Sequence, residues 1–213
     1  MPKQLSSALF FALGGFMLAY VFATALLDFQ LFATVDYFYL PMNLFDLVDR
    51  VRAQSRPDFL ISVRLSPERF GMELSEVIVI AQHLLESGQI DLLDMSLWDV
   101  FKQPDDEQFK GDSLLSPFTA LERGAGRLAA AGKITGAREA EQVIAAGVDI
   151  VTIGRSAILH HDFPELCRSD PDFRPHGLPV SRAYLRHEGL SSRFIDYMSS
   201  WEGFVADPDA QSE

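Results

Sequence analysis

Four short apolar runs, held apart by helical patterns, constrain this chain more than any other feature of it. They are FLISVR (59–64), IDLLDMS (90–96), RLAAAG (127–132) and VDIVTIG (148–154). Each is too short for a helix that packs by itself and is nearly continuous in apolar residues, as a buried strand is. Between the first two lies ELSEVIVIAQHLLESG (73–88), where Leu74, Val77, Ile78, Ala81, Leu84 and Leu85 recur at helical spacing and Gly88 ends the pattern at C′. A second helix is predicted over 116–125, with Ser116-Pro117 as N-cap and N1. A third runs over GAREAEQVIAAG (136–147), with Thr135 as N-cap, Ala140, Val143 and Ile144 as the inner stripe and Gly147 as C′. Strands joined through helices are parallel, because only a crossover returns the chain to a parallel neighbour. The order β-α-β-α-β-α-β therefore predicts an α/β fold whose parallel sheet is covered on both faces or closed as a barrel.

Upstream, NLFDLVDRVRAQSRPDF reads as an amphipathic helix with Leu44, Leu47, Val48 and Val51 on one face, stopped at Arg56-Pro57-Asp58. Residues 1–42 have a different texture. Residues 7–27, SALFFALGGFMLAYVFATALL, carry no charge. As a helix they would span ~30 Å, a bilayer core. Lys3 before them and Asp28 and Asp36 after them suit a signal anchor. Ala23 and Ala25 alternatively offer a signal-peptidase site. A buried soluble helix is the third reading, which Gly14-Gly15 and the all-round apolarity make awkward. Residues 205–213 form an acidic tail.

The formal net charge of −12 argues against a nucleic-acid partner, which needs a basic face, but leaves room for one small phosphate. The single cysteine, Cys167, permits no intrachain disulfide and reads as an inert thiol; this fits a reducing compartment. His160 and His161 are adjacent and carry no metal-ligand spacing, so no metal is expected.

Function is expected at the C-terminal ends of parallel strands. There the sequence repeats one device. Gly132-Lys133 ends the third run and Gly154-Arg155 ends the fourth. Glycine lets backbone approach a ligand, and a cation beside it adds charge and donors for an anion. With a short helix over 156–163, the two neighbouring ends match the phosphate site that TIM barrels form after strands seven and eight.

FLISVRLSPERFG, DLLDMS and LAAAGKITGAREAEQVIAAGVDIVTIGRSAIL, followed by LPVSRAYLRHEGLSSRFIDYMSSWEGF, resemble the second half of the old yellow enzyme family, the NADH:flavin oxidoreductases. The resemblance runs from about residue 43 to 204. It implies a partial TIM (β/α)8 barrel, strands five to eight, with FMN as cofactor and NAD(P)H as electron donor. Hydride would pass to flavin N5 and on to an activated alkene-type acceptor. Arg64 matches the arginine at flavin N1 and O2, where a cation stabilises the anionic reduced ring. Gly132 and Lys133 match the strand-seven phosphate loop, and Gly154 and Arg155 the strand-eight clamp. Ser96 and Trp98 end the strand resembling strand six, and no role is carried onto them.

A full barrel takes roughly 250 residues, so the first four units would need on the order of 120 before residue 43. The family's strand-four His/Asn pair and its proton-donating tyrosine are not found there. A half barrel exposes strand edges, an aggregation hazard. The expected resolutions are pairing of two copies as a homo-oligomer, completion by another chain, or a truncated non-catalytic fragment, membrane-tethered if 7–27 is a genuine anchor and cytoplasmic otherwise. The join near residue 43 reads as a frameshift or misplaced start codon, in which case the apparent span has no biological meaning.

Overall fold

In the computed structural model, which describes residues 40–206, the apolar runs pair in chain order as one parallel sheet, β1-β2-β3-β4. The strands are β1 (Ser62–Leu65), β2 (Leu92–Ser96), β3 (Arg127–Ala131) and β4 (Ile150–Thr152). The helices are α1 (Leu40–Gln54), α2 (Leu74–Glu86), α3 (Ser116–Thr119), α4 (Ala137–Ala145), α5 (Arg155–Leu159), α6 (Phe163–Ser169), α7 (Arg182–His187) and α8 (Ser192–Ser199). The chain divides into two units between Val51 and Arg52, and the sheet belongs wholly to the second. The predicted membrane helix over 7–27 and most of the acidic tail lie outside the described residues. Among the described residues no helix is long and apolar enough to cross a membrane.

Register sets the two faces of the sheet. Arg64, Asp94, Ala129 and Ile150 stand in one cross-strand row. Because side chains alternate along a strand, Val63, Leu65, Leu93, Met95, Leu128 and Ala130 point the other way, and all six are buried. Every crossover advances one strand in the same direction. Right-handed crossovers of that kind place their helices on one side. That side is the apolar face, against which α2 contributes the buried Leu74, Val77, Ala81, Leu84 and Leu85. The opposite face carries Arg64 and Asp94.

The structure moves several predicted boundaries. The first strand starts at Ser62 rather than 59, since Arg52 takes the Phe59 carbonyl (2.7 Å) and Asp91 the Ile61 N–H (2.8 Å), leaving Phe59 and Leu60 exposed. α3 has four residues and stops at Thr119. The chain must then turn through Gly124 at φ +54 and Gly126, where an added Cβ would sit 2.8 Å from the Leu85 side chain. α4 is capped by Gly136, not Thr135, and buries Val143 while Ile144 is exposed. The short helix expected over 156–163 ends at Leu159, and α6 begins at Phe163. In α2, Gly88 adopts φ +63 and donates to Leu85 O, the expected C′ arrangement.

The tail forms a second small core of Leu159, Val180, Leu185, Ile195, Met198 and Phe204. Ser181 and Ser191 cap α7 and α8, accepting from Tyr184 N and Phe194 N. A parallel bridge between Val180 and Val205 closes the segment.

Candidate functional site

The ends of β2, β3 and β4 are stitched together. Leu97 N donates to Ala131 O (2.8 Å), Val100 N to Gly132 O (3.2 Å), and Ser156 Oγ to Thr135 O (3.2 Å). The two Gly-cation pairs predicted from sequence are therefore brought to neighbouring strand ends.

The pairs differ in what they do there. Gly132 has φ +155, and a Cβ on it would lie 2.8 Å from Asp99 N and 2.9 Å from Trp98 C. Close passage of the β2–α3 loop is thus sufficient reason for that glycine. Lys133 has φ +49 and its Nζ lies 3.0 Å from Asp99 Oδ2. Burial pushes the Asp99 carboxyl up, but the bonds from Lys133 and Phe101 N outweigh it and hold it below its ordinary value. Gly154 meets nothing within 4 Å of an added Cβ. Arg155 is exposed, and its side chain makes no hydrogen bond or ion pair to the described residues. The second pair is open and uncommitted, whereas the first is packed and engaged.

Arg155 borders a cleft of about 470 Å³ with Trp98, Trp201, Leu178, Phe204 and Glu202. Two indoles and a free guanidinium suit a ligand with a flat ring and a negative group. Trp98 is held at φ +61, rare for a non-glycine residue, and the Arg69 guanidinium stacks over its ring at 4.1 Å. Glu68 anchors the β1–α2 loop beside it, binding Lys102 Nζ (2.8 Å) and Asp105 N (2.6 Å). Trp201 was not singled out in the sequence, because it becomes a cleft wall only once the tail folds back.

Arg64 lies on the other face of β1 from the apolar core, with Nη2 3.2 Å from Ser96 Oγ and Nη1 3.4 Å from Asp94 Oδ2. Burial holds the Asp94 carboxyl above its ordinary value, against the pull of Arg64 and Thr152.

The structure also gathers His160, Asp162 and Glu188, whose ligand-type atoms lie within 4.8 Å of one another. Spacing along the chain does not reveal this cluster, since Glu188 comes from the distant end of α7. Two of the three are engaged by residues outside the cluster. His160 Nε2 accepts from His176 N (2.9 Å), which leaves the proton of a neutral ring on Nδ1. Glu188 Oε2 accepts from His161 N and lies 2.9 Å from His161 Nδ1. The His161 bond raises that imidazole's proton affinity. Cys167 is half-buried, and burial pushes its thiol up, away from a reactive thiolate.

No protein-family model matches this chain, and no curated protein matches it.

Proposed function

We propose that the chain is the FMN-binding half of an NAD(P)H-dependent flavin oxidoreductase barrel of the old yellow enzyme kind. The observation that carries the reading is the uncommitted Arg155, beside the open Gly154, in a cleft walled by Trp98 and Trp201. The sequential order of the parallel strands supports the barrel, because a doubly wound sheet reverses its order at a switch point and this one does not.

The residues present fit FMN unevenly. Gly154 and Arg155 suit a phosphate, and Arg64 suits the electron-rich edge of the ring. Lys133 reaches a phosphate only by leaving Asp99. Bound FMN would supply hydride acceptance from NAD(P)H and hydride donation to an activated alkene-type acceptor. The chain's own part is to clamp the phosphate, to hold a cation where reduction builds negative charge, and to exclude water with indole walls.

A second reading has its own support: among the described residues no strand pairs with the outer side of β1 or of β4. A sheet with two such edges suits a partner half, so a second copy or another chain would complete the barrel. Alone, the chain would be a non-catalytic fragment.

The test is an FMN titration of the full chain by flavin fluorescence, beside Arg155→Ala, with molar mass measured by light scattering. Saturable binding that Arg155→Ala weakens at least tenfold supports the reading. Binding only by a dimer supports pairing of halves. No binding by folded protein refutes the FMN reading.

A further inference from the structure

Among the described residues Asp94 is the one ionisable residue buried as a whole, at 7% exposure. It sits mid-strand on the face that the connecting helices leave uncovered. A buried carboxylate is costly unless close donors compensate it, and here they are distant. Arg64 Nη1 stands 3.4 Å away and Thr152 Oγ1 donates at 3.4 Å. Arg64 is directly opposite in register, β3 presents only the Ala129 methyl beside Asp94, and β4 presents Thr152. Leu93 and Met95 on Asp94's own strand turn to the apolar face. Among the described residues Arg64 is therefore the charged group that faces this carboxyl. It is also only partly committed: its side chain is 39% exposed and its second nitrogen rests on a neutral hydroxyl, Ser96.

We propose that Asp94 is a proton-holding positioning residue that shares Arg64 with the negative edge of a bound flavin and takes up one proton from solvent as Arg64 turns to that ligand. The inference rests on the FMN reading above. A guanidinium bound to the electron-rich edge of the ring has less field to give Asp94, so the neutral acid gains. The new O–H bond forms on an Asp94 carboxylate oxygen, and the proton returns to water when the ligand leaves. The ligand thus meets an arginine whose charge is no longer shared with a buried anion. The burial that already favours the protonated acid points the same way.

Two measurements on the full chain test this. In the first, calorimetry of FMN binding in buffers of different ionisation enthalpy counts protons taken up, for wild type and Asp94→Asn. Above the free protein's own Asp94 midpoint, which burial holds above the ordinary aspartate range, wild type is expected to take up more protons per FMN than the variant, approaching about one at its maximum. Its affinity is expected to fall with rising pH where the variant's does not, once the phosphate's own titration, common to both, is removed. Equal uptake by both proteins overturns the inference while leaving FMN binding intact. In the second, the Asp94 carboxyl is titrated by carbon NMR without ligand, in wild type and Arg64→Gln. It is expected to titrate at higher pH in Arg64→Gln. An unchanged midpoint overturns the coupling whether or not FMN binds or Asp94→Asn folds. Failure of folded wild type to bind FMN refutes the functional reading instead, and the ligand half of the inference falls with it.

Discussion

Asp149 and Leu128 are joined by two hydrogen bonds that close a ring. Leu128 N donates to Asp149 Oδ2 at 2.9 Å, and Asp149 N returns to Leu128 O at 2.9 Å. The same ring joins Asp91 and Ile61, with both bonds at 2.8 Å. Each aspartate follows a helix that ends on glycine, Gly88 or Gly147, and each also binds arginine: Arg52 for Asp91, Arg123 and Arg127 for Asp149. The N-terminal ends of the strands are thus fastened by one device used twice, opposite to the ends proposed to bind ligand.

Asp149→Asn is expected to cost about 1–2 kcal/mol at neutral pH, since it weakens charge-assisted bonds in a partly exposed setting. The Leu128 N–H holds the Asp149 carboxyl below its ordinary value, with help from both arginines against the opposing effect of burial. The unfolded chain therefore binds the proton first as pH falls. The stabilisation is present above the ordinary aspartate range and is lost below it. Urea denaturation at pH 7 and pH 3 checks this, and the gap between wild type and variant should shrink at pH 3.

Two glycines named for the same role should respond differently to alanine. Gly132→Ala drives a Cβ into the Trp98–Asp99 backbone at a φ that disfavours side chains, so a loss of roughly 1–3 kcal/mol is expected in thermal or chemical melts. Gly154→Ala meets open space, and its stability is expected to stay within about 0.5 kcal/mol. Any effect of Gly154→Ala should appear in ligand affinity.

Arg155→Ala removes no bond to the described residues, so stability should move by no more than about 0.5 kcal/mol while FMN affinity falls. Asp99→Asn releases Lys133 from its ion pair. If Lys133 belongs to the phosphate site, FMN binds several-fold more tightly to Asp99→Asn, and the gain disappears in the double variant with Lys133→Ala. Equal gains in both would remove Lys133 from the site.

Leu185→Ala empties a fully buried position in the tail's own core and should cost about 2–5 kcal/mol. Phe204, in the same cluster, also lines the cleft. A variant that stays folded should therefore bind FMN more weakly, a joint change that titration and melting would detect on one sample.

The sheet was legible because each strand lies in a mostly apolar run and α2 and α4 each carry an apolar stripe and a terminal glycine. α2 follows from sequence nearly residue by residue, although Ile80 is buried where Ile78 was expected. Boundaries set by distant partners were not legible. Nothing local shows that Arg52 would hold the Phe59 carbonyl out of β1, or that Ser156 would take the Thr135 carbonyl. At the site, sequence brought Gly132, Lys133, Gly154 and Arg155 to adjoining strand ends. It could not separate the packed glycine from the open one, because the loop that crosses Gly132 follows β2, more than thirty residues earlier in the chain. Asp94 reads in sequence as one acidic residue in an apolar run, and the role proposed for it depends on its register with Arg64.

The order of the strands bears on how the chain can be made. Each strand's partner is the next strand to be synthesised, so no pairing has to wait for a distant segment to emerge. The sheet can be built at the ribosome one strand at a time, with β1 as template and the newest strand always the growing edge. At every stage of that growth, among the described residues, the leading edge still presents backbone donors and acceptors that no strand pairs. Among the described residues β4 is the edge left when that growth ends, so the last strand made is the one still open to pairing.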